Sequence, residues 1–193
     1  MIYISAYTPH TAYHQHALAL KQDLMKQGIT LRLYTIFNTG TWWKNCLQKS
    51  YIIKQAFINS DEPIVWVDAD ATVKKYPSLF EEIEGHDIAV RYPEGGELLS
   101  GTMCFYQTQS ALDILLEWEA SCEAASHLID AKERDVWDQA LLKHVIDQHN
   151  PKIYCLPKEY VKIKPKTKEL DGDFVIGHKQ HSRKVRSSGG LIT

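Results

Sequence analysis

The chain has 193 residues, enough for one complete hydrophobic core, and its length gives no reason for a second large domain. Hydrophobic residues make up 44% and charged residues 24%, and no apolar run approaches the roughly 18 residues of a membrane helix, which argues against a membrane span. The four cysteines contain no CxxC pair, which argues against a zinc ribbon or a disulfide scaffold.

The first part of the sequence alternates predicted strands and helices. Residues 1–6 read as a strand, and because no signal-like segment precedes them they predict a cytoplasmic protein. A helix over 11–27 follows, with Ala17 and Leu20 at helical spacing. The next elements are a strand over 29–37, a helix over 43–59 and a strand over 64–67. This order indicates an α/β fold with a mostly parallel central sheet flanked by helices.

The remainder departs from strict alternation, because two helices follow one another. The predicted elements are a helix over 77–84, strands over 87–91 and 99–106, helices over 108–126 and 133–149, and short strands over 153–156, 160–163 and 174–176. We predict a single domain over 1–186. The Ser- and Gly-containing end, 187–193, has no apolar period and is predicted to be a flexible tail.

Charge is distributed unevenly. The net charge of −2 includes a basic stretch, 158–186, with nine Lys or Arg against four Asp or Glu. Such a stretch predicts either an anionic ligand or a solvated surface. No basic motif interleaved with aromatic residues accompanies it, so we expect no nucleic-acid partner. The sequence leaves the oligomeric state open.

Two aspartates follow the most apolar predicted strand. The sequence Ile64-Val65-Trp66-Val67 leads directly into Asp68-Ala69-Asp70. In open α/β sheets ligands bind outside the carboxyl ends of the strands, and two carboxylates one residue apart can offer oxygens to one Mg²⁺ or Mn²⁺ ion. In the simpler alternative one aspartate caps the next segment and the other is solvated.

Asp68-Ala69-Asp70 after an apolar strand resembles the DxD motif of nucleotide-sugar-dependent glycosyltransferases with the GT-A fold, loosely those like glycogenin and the lipopolysaccharide galactosyltransferases. The resemblance implies a metal ion, Mn²⁺ or Mg²⁺, held by Asp68, Asp70 and a histidine near the C-terminus. Either His178 or His181 matches that histidine, and His178 is favoured because it directly follows a predicted strand. Arg183 is among the residues suited to the donor phosphates.

The resemblance also implies residues that bind the nucleotide-sugar donor. The first strand ends in Ser5, Tyr7 and Thr8, which would contact the nucleotide, although in the simpler alternative Thr8 or Thr11 only caps a helix. Asn45 and Lys49 lie four residues apart on one helix face, and Lys49 approximates a basic donor-binding residue of this family. Ser100 and Gly101 resemble a segment that lines the donor sugar, where glycine lets the backbone approach a ligand. For the last pair the alternative is a β-bulge.

A final set of polar residues opens the helix predicted over 133–149. Asp135, Asp138 and Gln139 resemble the Asp-Gln-x-x-Leu stretch of these enzymes, so Asp138 or Asp135 is the candidate general base of an inverting reaction. In a retaining reaction the leaving phosphate could take the proton, with Gln139 near the sugar. The alternative is that acidic residues in the first turn only stabilise the helix dipole.

The resemblance as a whole implies a single GT-A-like domain that transfers a sugar from a nucleotide-diphosphate donor, a UDP-sugar, to an acceptor hydroxyl. Neither the sugar nor the acceptor is predicted. Two other functions stay open: a metal-dependent phosphohydrolase or nucleotidyltransferase, and a non-catalytic domain that binds nucleotide sugars.

Overall fold

A computed structural model describes residues 1–94, 96–127, 136–165 and 170–181. The predicted tail, 187–193, lies outside the described residues. In chain order the elements are β1 (Ile2–Tyr7), α1 (Ala12–Lys26), β2 (Leu31–Thr35), α2 (Trp42–Ile58), β3 (Ile64–Val67), β4 (Ala71–Val73), α3 (Leu79–Glu82), β5 (Ile88–Arg91), β6 (Leu99–Phe105), α4 (Gln109–Ser126), α5 (Asp138–His149), β7 (Ile153–Cys155), β8 (Lys162–Ile163) and β9 (Ile176–His178).

Six strands form the central sheet in the order β2-β1-β3-β6-β5-β7. Strand β6 runs antiparallel to both of its neighbours, while the other pairs are parallel, so the predicted mostly parallel sheet is confirmed. The reversal has a local cause. The connection from β5 to β6, residues 92–98, is too short for a parallel crossover, which needs about a dozen residues or more.

Helices cover both faces of the sheet. In β3 the side chains of Ile64 and Trp66 pack in one core with α2, α4 and α5, while Val65 and Val67 pack in a second core with α1 and α3. All four are buried, as expected for a strand between two layers of helices. The predicted bounds of this strand are confirmed.

A second sheet contains three short strands in the order β4-β9-β8. Strand β4 is absent from our sequence prediction, and the strand predicted over 174–176 lies two residues later, at Ile176–His178. The antiparallel register pairs Ala71 with His178. Long-range pairing therefore brings the end of the described chain beside the two aspartates.

Within the described residues, no helix combines the length and apolarity needed to cross a membrane.

Candidate functional site

A cavity of about 210 Å³ lies where the carboxyl ends of β1 and β3 meet the amino end of β6. These ends share one edge of the sheet because β6 runs opposite to β3. Most of the predicted site residues within the described chain line this cavity: Tyr7, Thr8, Asn45, Lys49, Asp68, Asp70, Ser100, Gly101, Asp138, Gln139 and His178. The fold thus gathers residues that are up to 171 positions apart in the sequence.

Asp68, Asp70 and His178 form a cluster that could hold a metal ion. One ligand atom from each residue lies within 4.8 Å of the ligand atoms of the other two. Asp68 and Asp70 follow β3 in a tight turn, in which the backbone N–H of Ala71 donates to the carbonyl of Asp68 (2.9 Å). His178 reaches them through the pairing of β9 with β4.

Each of these three side chains is oriented by a second contact. Oδ1 of Asp68 accepts from Nε1 of Trp66 (2.8 Å), and Oδ2 of Asp70 accepts from the backbone N–H of His181 (2.7 Å). Nε2 of His178 lies 2.9 Å from Oγ1 of buried Thr102. Such outer contacts fix metal ligands in place, and a proton on Nε2 leaves the Nδ1 lone pair available to a cation.

The environment of His178 also favours a ligand role. The residue is only 2% exposed, and this burial lowers its pKa below the ordinary value, although Asp68 and Asp70 act in the opposite direction. A lowered pKa keeps the imidazole neutral near pH 7, and only the neutral ring can donate a lone pair to a metal. Two carboxylates and one neutral imidazole suit Mn²⁺ and accommodate Mg²⁺.

Lys49 connects Asp68, one of the three candidate metal ligands, to Asp138. Its Nζ lies 3.0 Å from Oδ1 of Asp68 and 2.9 Å from Oδ2 of Asp138, and it also approaches Oγ of Ser100 (3.2 Å). Burial alone would lower the pKa of Lys49, but the two carboxylates outweigh it and raise that pKa above its ordinary value. The buried ammonium is therefore charged and forms an ion pair with both acidic groups, offsetting one of their two negative charges.

A chain of hydrogen bonds runs from Asp138 to the edge of the cavity. Oγ of Ser100 donates to Oδ2 of Asp138 (3.1 Å), and the backbone N–H of Ser100 donates to Oε1 of Gln139 (3.2 Å). Nε2 of Gln139 in turn donates to Oε1 of Glu97 (3.1 Å). Asp138 is only 4% exposed, whereas Glu97 is exposed. The two carboxylates thus occupy the inner and outer ends of one network.

Comparison with solved structures finds glycosyltransferases. A glycosyltransferase involved in the glycosylation of the major capsid of PBCV-1 matches with a TM-score of 0.64 and 16% identity, over 97% of this chain and 97% of that chain. Mouse xyloside xylosyltransferase 1 matches with a TM-score of 0.59 and 11% identity, over 94% of this chain and 98% of that chain. The glycosyltransferase GlyE of Streptococcus pneumoniae matches with a TM-score of 0.62 and 13% identity, over 92% of this chain and 53% of that chain. The chain has a GT-A-like fold.

The likeness to these proteins is one of fold. No family model matches the sequence, and no curated protein matches it. This chain spans nearly the whole of two of the three structures but about half of GlyE. A shared fold does not determine an activity, which depends on the residues of the site itself.

The residues predicted to bind the nucleotide differ in how they are placed. Tyr7 lines the cavity and stacks on His14, with ring centroids 4.8 Å apart. Thr8 also lines it, and its Oγ1 accepts from Nδ2 of buried Asn45 (3.4 Å). Ser5 is fully buried and is not among the lining residues, so the structure does not bring it to the cavity.

Asn45 also organises the loop after β2. Its Oδ1 accepts from the backbone N–H of Thr39 (2.9 Å) and from the hydroxyl of Thr39 (2.7 Å). Asn45 and Lys49 line the same cavity from one face of α2, as their spacing predicted. The amide of Asn45 thus contributes by shaping the wall of the cavity.

Three further predictions concern the C-terminal part of the chain. Asp135 and Arg183 lie outside the described residues. His181 lies next to the candidate metal ligands, where its backbone N–H donates to Asp70, while its ring contacts His16 (3.4 Å between Nδ1 and Nε2). Of the two histidines left open by the sequence, His178 is the one whose ring belongs to the cluster.

The lining residues that the predicted site lacked include three tryptophans and one carboxylate: Trp42, Trp66, Trp137 and Glu97. Only Trp66 has a clear sequence signal. It lies two residues before Asp68, and alternate residues of a strand share a face, so its indole N–H could have been expected near that carboxylate. The other three come from a loop and from helix starts, whose positions around the cavity depend on tertiary packing.

Gly101 leaves the space that the side chains of His178 and Asp68 occupy. A Cβ atom at this position would lie 2.8 Å from Cε1 of His178, 3.0 Å from its Nδ1 and 3.3 Å from Oδ2 of Asp68. The carbonyl of Gly101 also accepts from the backbone N–H of Asp68 (2.8 Å). The resemblance implies that the backbone here approaches the donor sugar, and in the structure Gly101 leaves room for the side chains of His178 and Asp68.

We expect Gly101→Ala to displace His178 from Asp68. The added methyl group should cost about 1–3 kcal/mol of folding stability through overpacking and weaken Mn²⁺ binding about 10–100-fold. Urea denaturation in EDTA and isothermal titration with Mn²⁺ measure the two effects. Wild-type Mn²⁺ affinity in a folded Gly101→Ala variant would contradict the placement of the cation between these side chains.

Proposed function

We propose that this chain is a glycosyltransferase that uses a divalent cation, Mn²⁺ or Mg²⁺, to transfer a sugar from a UDP-sugar to an acceptor hydroxyl. The observation that carries the proposal is the cluster of Asp68, Asp70 and His178 beside a cavity at the carboxyl edge of the sheet. Each of its side chains is held by a further contact. The GT-A-like fold shared with solved glycosyltransferases gives independent support.

Asp68, Asp70 and His178 would hold the cation, which when bound would neutralise the diphosphate leaving group. In Asp68, Oδ1 is engaged by Trp66 and Lys49, so Oδ2, which lies toward Gly101, is the oxygen that would be offered to a cation. The nucleotide would lie along the end of β1, beside Tyr7 and Thr8, since both line the same cavity.

The donor sugar would lie between Lys49, Asp138 and the Ser100-Gly101 backbone. Lys49 holds Asp138 in place through an ion pair, so Asp138 presents a fixed acceptor to sugar hydroxyls. In an inverting reaction, Asp138 takes the proton of the attacking hydroxyl. In a retaining reaction the leaving phosphate takes it, with Gln139 fixed by Ser100 and Glu97 to line the sugar site.

A thermal-shift series with UDP-, GDP- and ADP-sugars tests the proposal, because a ligand that binds only the folded state raises its melting temperature. At a UDP-sugar concentration of about 100 Kd, we expect a rise of roughly 5–10 °C in Mn²⁺ or Mg²⁺ and none in EDTA. Slow release of UDP, with water taking the sugar in place of the acceptor hydroxyl, should accompany the shift. A folded protein that responds to no nucleotide sugar would contradict the proposal.

A further inference from the structure

Two tryptophans meet in the wall of the cavity and take no part in the site described so far. Trp42 opens α2 and Trp137 immediately precedes α5, and their rings meet edge to face with centroids 5.7 Å apart and planes at 80°. Both are half-buried and both line the cavity that contains Asp68 and Asp70. We call this pair the tryptophan corner.

Polar groups that suit hydroxyls lie beside the tryptophan corner. Trp137 is followed directly by Asp138 and Gln139, so one turn of chain carries an aromatic ring and two hydrogen-bonding side chains. Glu97 is exposed and lines the same cavity, with Oε1 bound to Gln139. Pockets that combine apolar walls with a few fixed polar groups bind small molecules in a defined orientation.

The charge of the cavity disfavours an anionic acceptor. The described lining residues include four carboxylates, Asp68, Asp70, Glu97 and Asp138, against one Lys or Arg, which is Lys49. Lys49 already contacts Asp68 and Asp138. A bound divalent cation would be matched by the donor diphosphate, so the cavity would offer no surplus positive charge to a second anion.

We propose that the tryptophan corner and Glu97 form the acceptor subsite, and that the acceptor is a neutral saccharide. A sugar ring has an apolar C–H face, which packs on an indole, and an edge of hydroxyls, which bind carboxylate and amide groups. Because the site would take a hydroxyl-bearing acceptor only in a transferase, the inference rests on the proposed function.

In the proposed transfer one bond forms and one bond breaks. An acceptor hydroxyl oxygen forms a bond to the anomeric carbon of the donor sugar, and the bond between that carbon and the phosphate oxygen breaks. The electron pair of the broken bond leaves with UDP. The hydroxyl proton passes to Asp138 if the configuration inverts, or to the leaving phosphate if it is retained.

The test uses the full chain, fluorescently labelled, on an array of neutral, sialylated and sulfated glycans in the presence of UDP and Mn²⁺. We expect binding to neutral glycans, with Trp137→Ala and Trp42→Ala each reducing it about tenfold or more. Trp137→Phe should recover most of the binding because it restores an aromatic face. Tyr51→Ala, which removes an exposed aromatic residue of α2 outside the cavity lining, is the matched control and should bind as the wild type does.

A parallel thermal-shift measurement with UDP and Mn²⁺ alone separates the possible failures. Loss of the UDP shift in Trp137→Ala would place the nucleotide base on the tryptophan corner and overturn the inference. Binding confined to anionic glycans, or no glycan binding with the UDP shift intact, would also overturn it and leave the proposed function standing. Absence of the UDP shift in the wild-type protein would contradict both.

Discussion

Replacing Lys49 with methionine is expected to lower the free energy of unfolding by about 3–5 kcal/mol, because it removes the ammonium group that lies between two acidic side chains. The side chain of Asp138 is 6% exposed, so its carboxylate would be left with little hydration and no counter-charge. Asp68, 34% exposed, would lose less. Urea denaturation in EDTA at neutral pH measures the change without any contribution from a bound cation.

A second lysine of the same helix provides the control. Lys54 pairs with Glu119, but these side chains are 15% and 21% exposed, so water solvates the remaining partner when one is removed. We expect Lys54→Met to cost about 1 kcal/mol or less. The double variant Lys49→Met, Asp138→Asn should regain part of the lost stability, because the uncompensated charge is gone. Equal losses of unfolding free energy in Lys49→Met and Lys54→Met would argue against a buried ion pair at Lys49.

The elements predicted well are those whose signal is local. Strand β3 is a run of four buried residues between turn residues, and its bounds in the structure match the prediction. Helix α1 begins directly after Thr11, whose side chain accepts from the backbone N–H of Tyr13. In both cases the residues that define the element lie within it or next to it, so periodicity and capping suffice to find it.

The elements predicted poorly depend on partners far along the chain. Strands β4 and β9 have three residues each, too few for a period, and they exist because they pair with one another. For the same reason His178 was proposed as a ligand by resemblance to a family and by its place after an apolar run. Its position within β9, opposite Ala71, could not be read from the sequence.

The candidate site likewise contains residues that local sequence identifies and contacts that depend on tertiary packing. Asp68 and Asp70 are separated by one residue in the chain and were found from their position after a strand. The ion pairs of Lys49 with Asp68 and Asp138 join α2, the loop after β3 and the start of α5. Only the tertiary packing of these elements shows that the one ammonium group contacts both carboxylates. The tryptophan corner likewise joins residues 95 positions apart.

Replacing Asp70 with asparagine is expected to reduce sugar transfer from a UDP-sugar by a factor on the order of 10³. Loss of a charged ligand weakens the hold on the cation, and a cation that neutralises a leaving group contributes several kcal/mol to the transition state. Asparagine has the shape of aspartate and retains one oxygen, so the bond from the backbone N–H of His181 can persist. The fold should therefore survive, and UDP release in a coupled assay measures the loss.

The control for Asp70→Asn is Asp61→Asn, which removes one negative charge from an exposed turn before β3. It should retain wild-type activity, whereas Asp70→Asn should lose both activity and the metal-dependent UDP-sugar shift. Excess Mn²⁺ should restore part of the activity, because a weakened cation site can be refilled by mass action. Full activity of Asp70→Asn, or wild-type activity in EDTA, would contradict a cation at this position. Wild-type activity in EDTA would require Lys49 to offset the charge of the diphosphate. The ammonium of Lys49 is already paired with Asp68 and Asp138, which argues against that role.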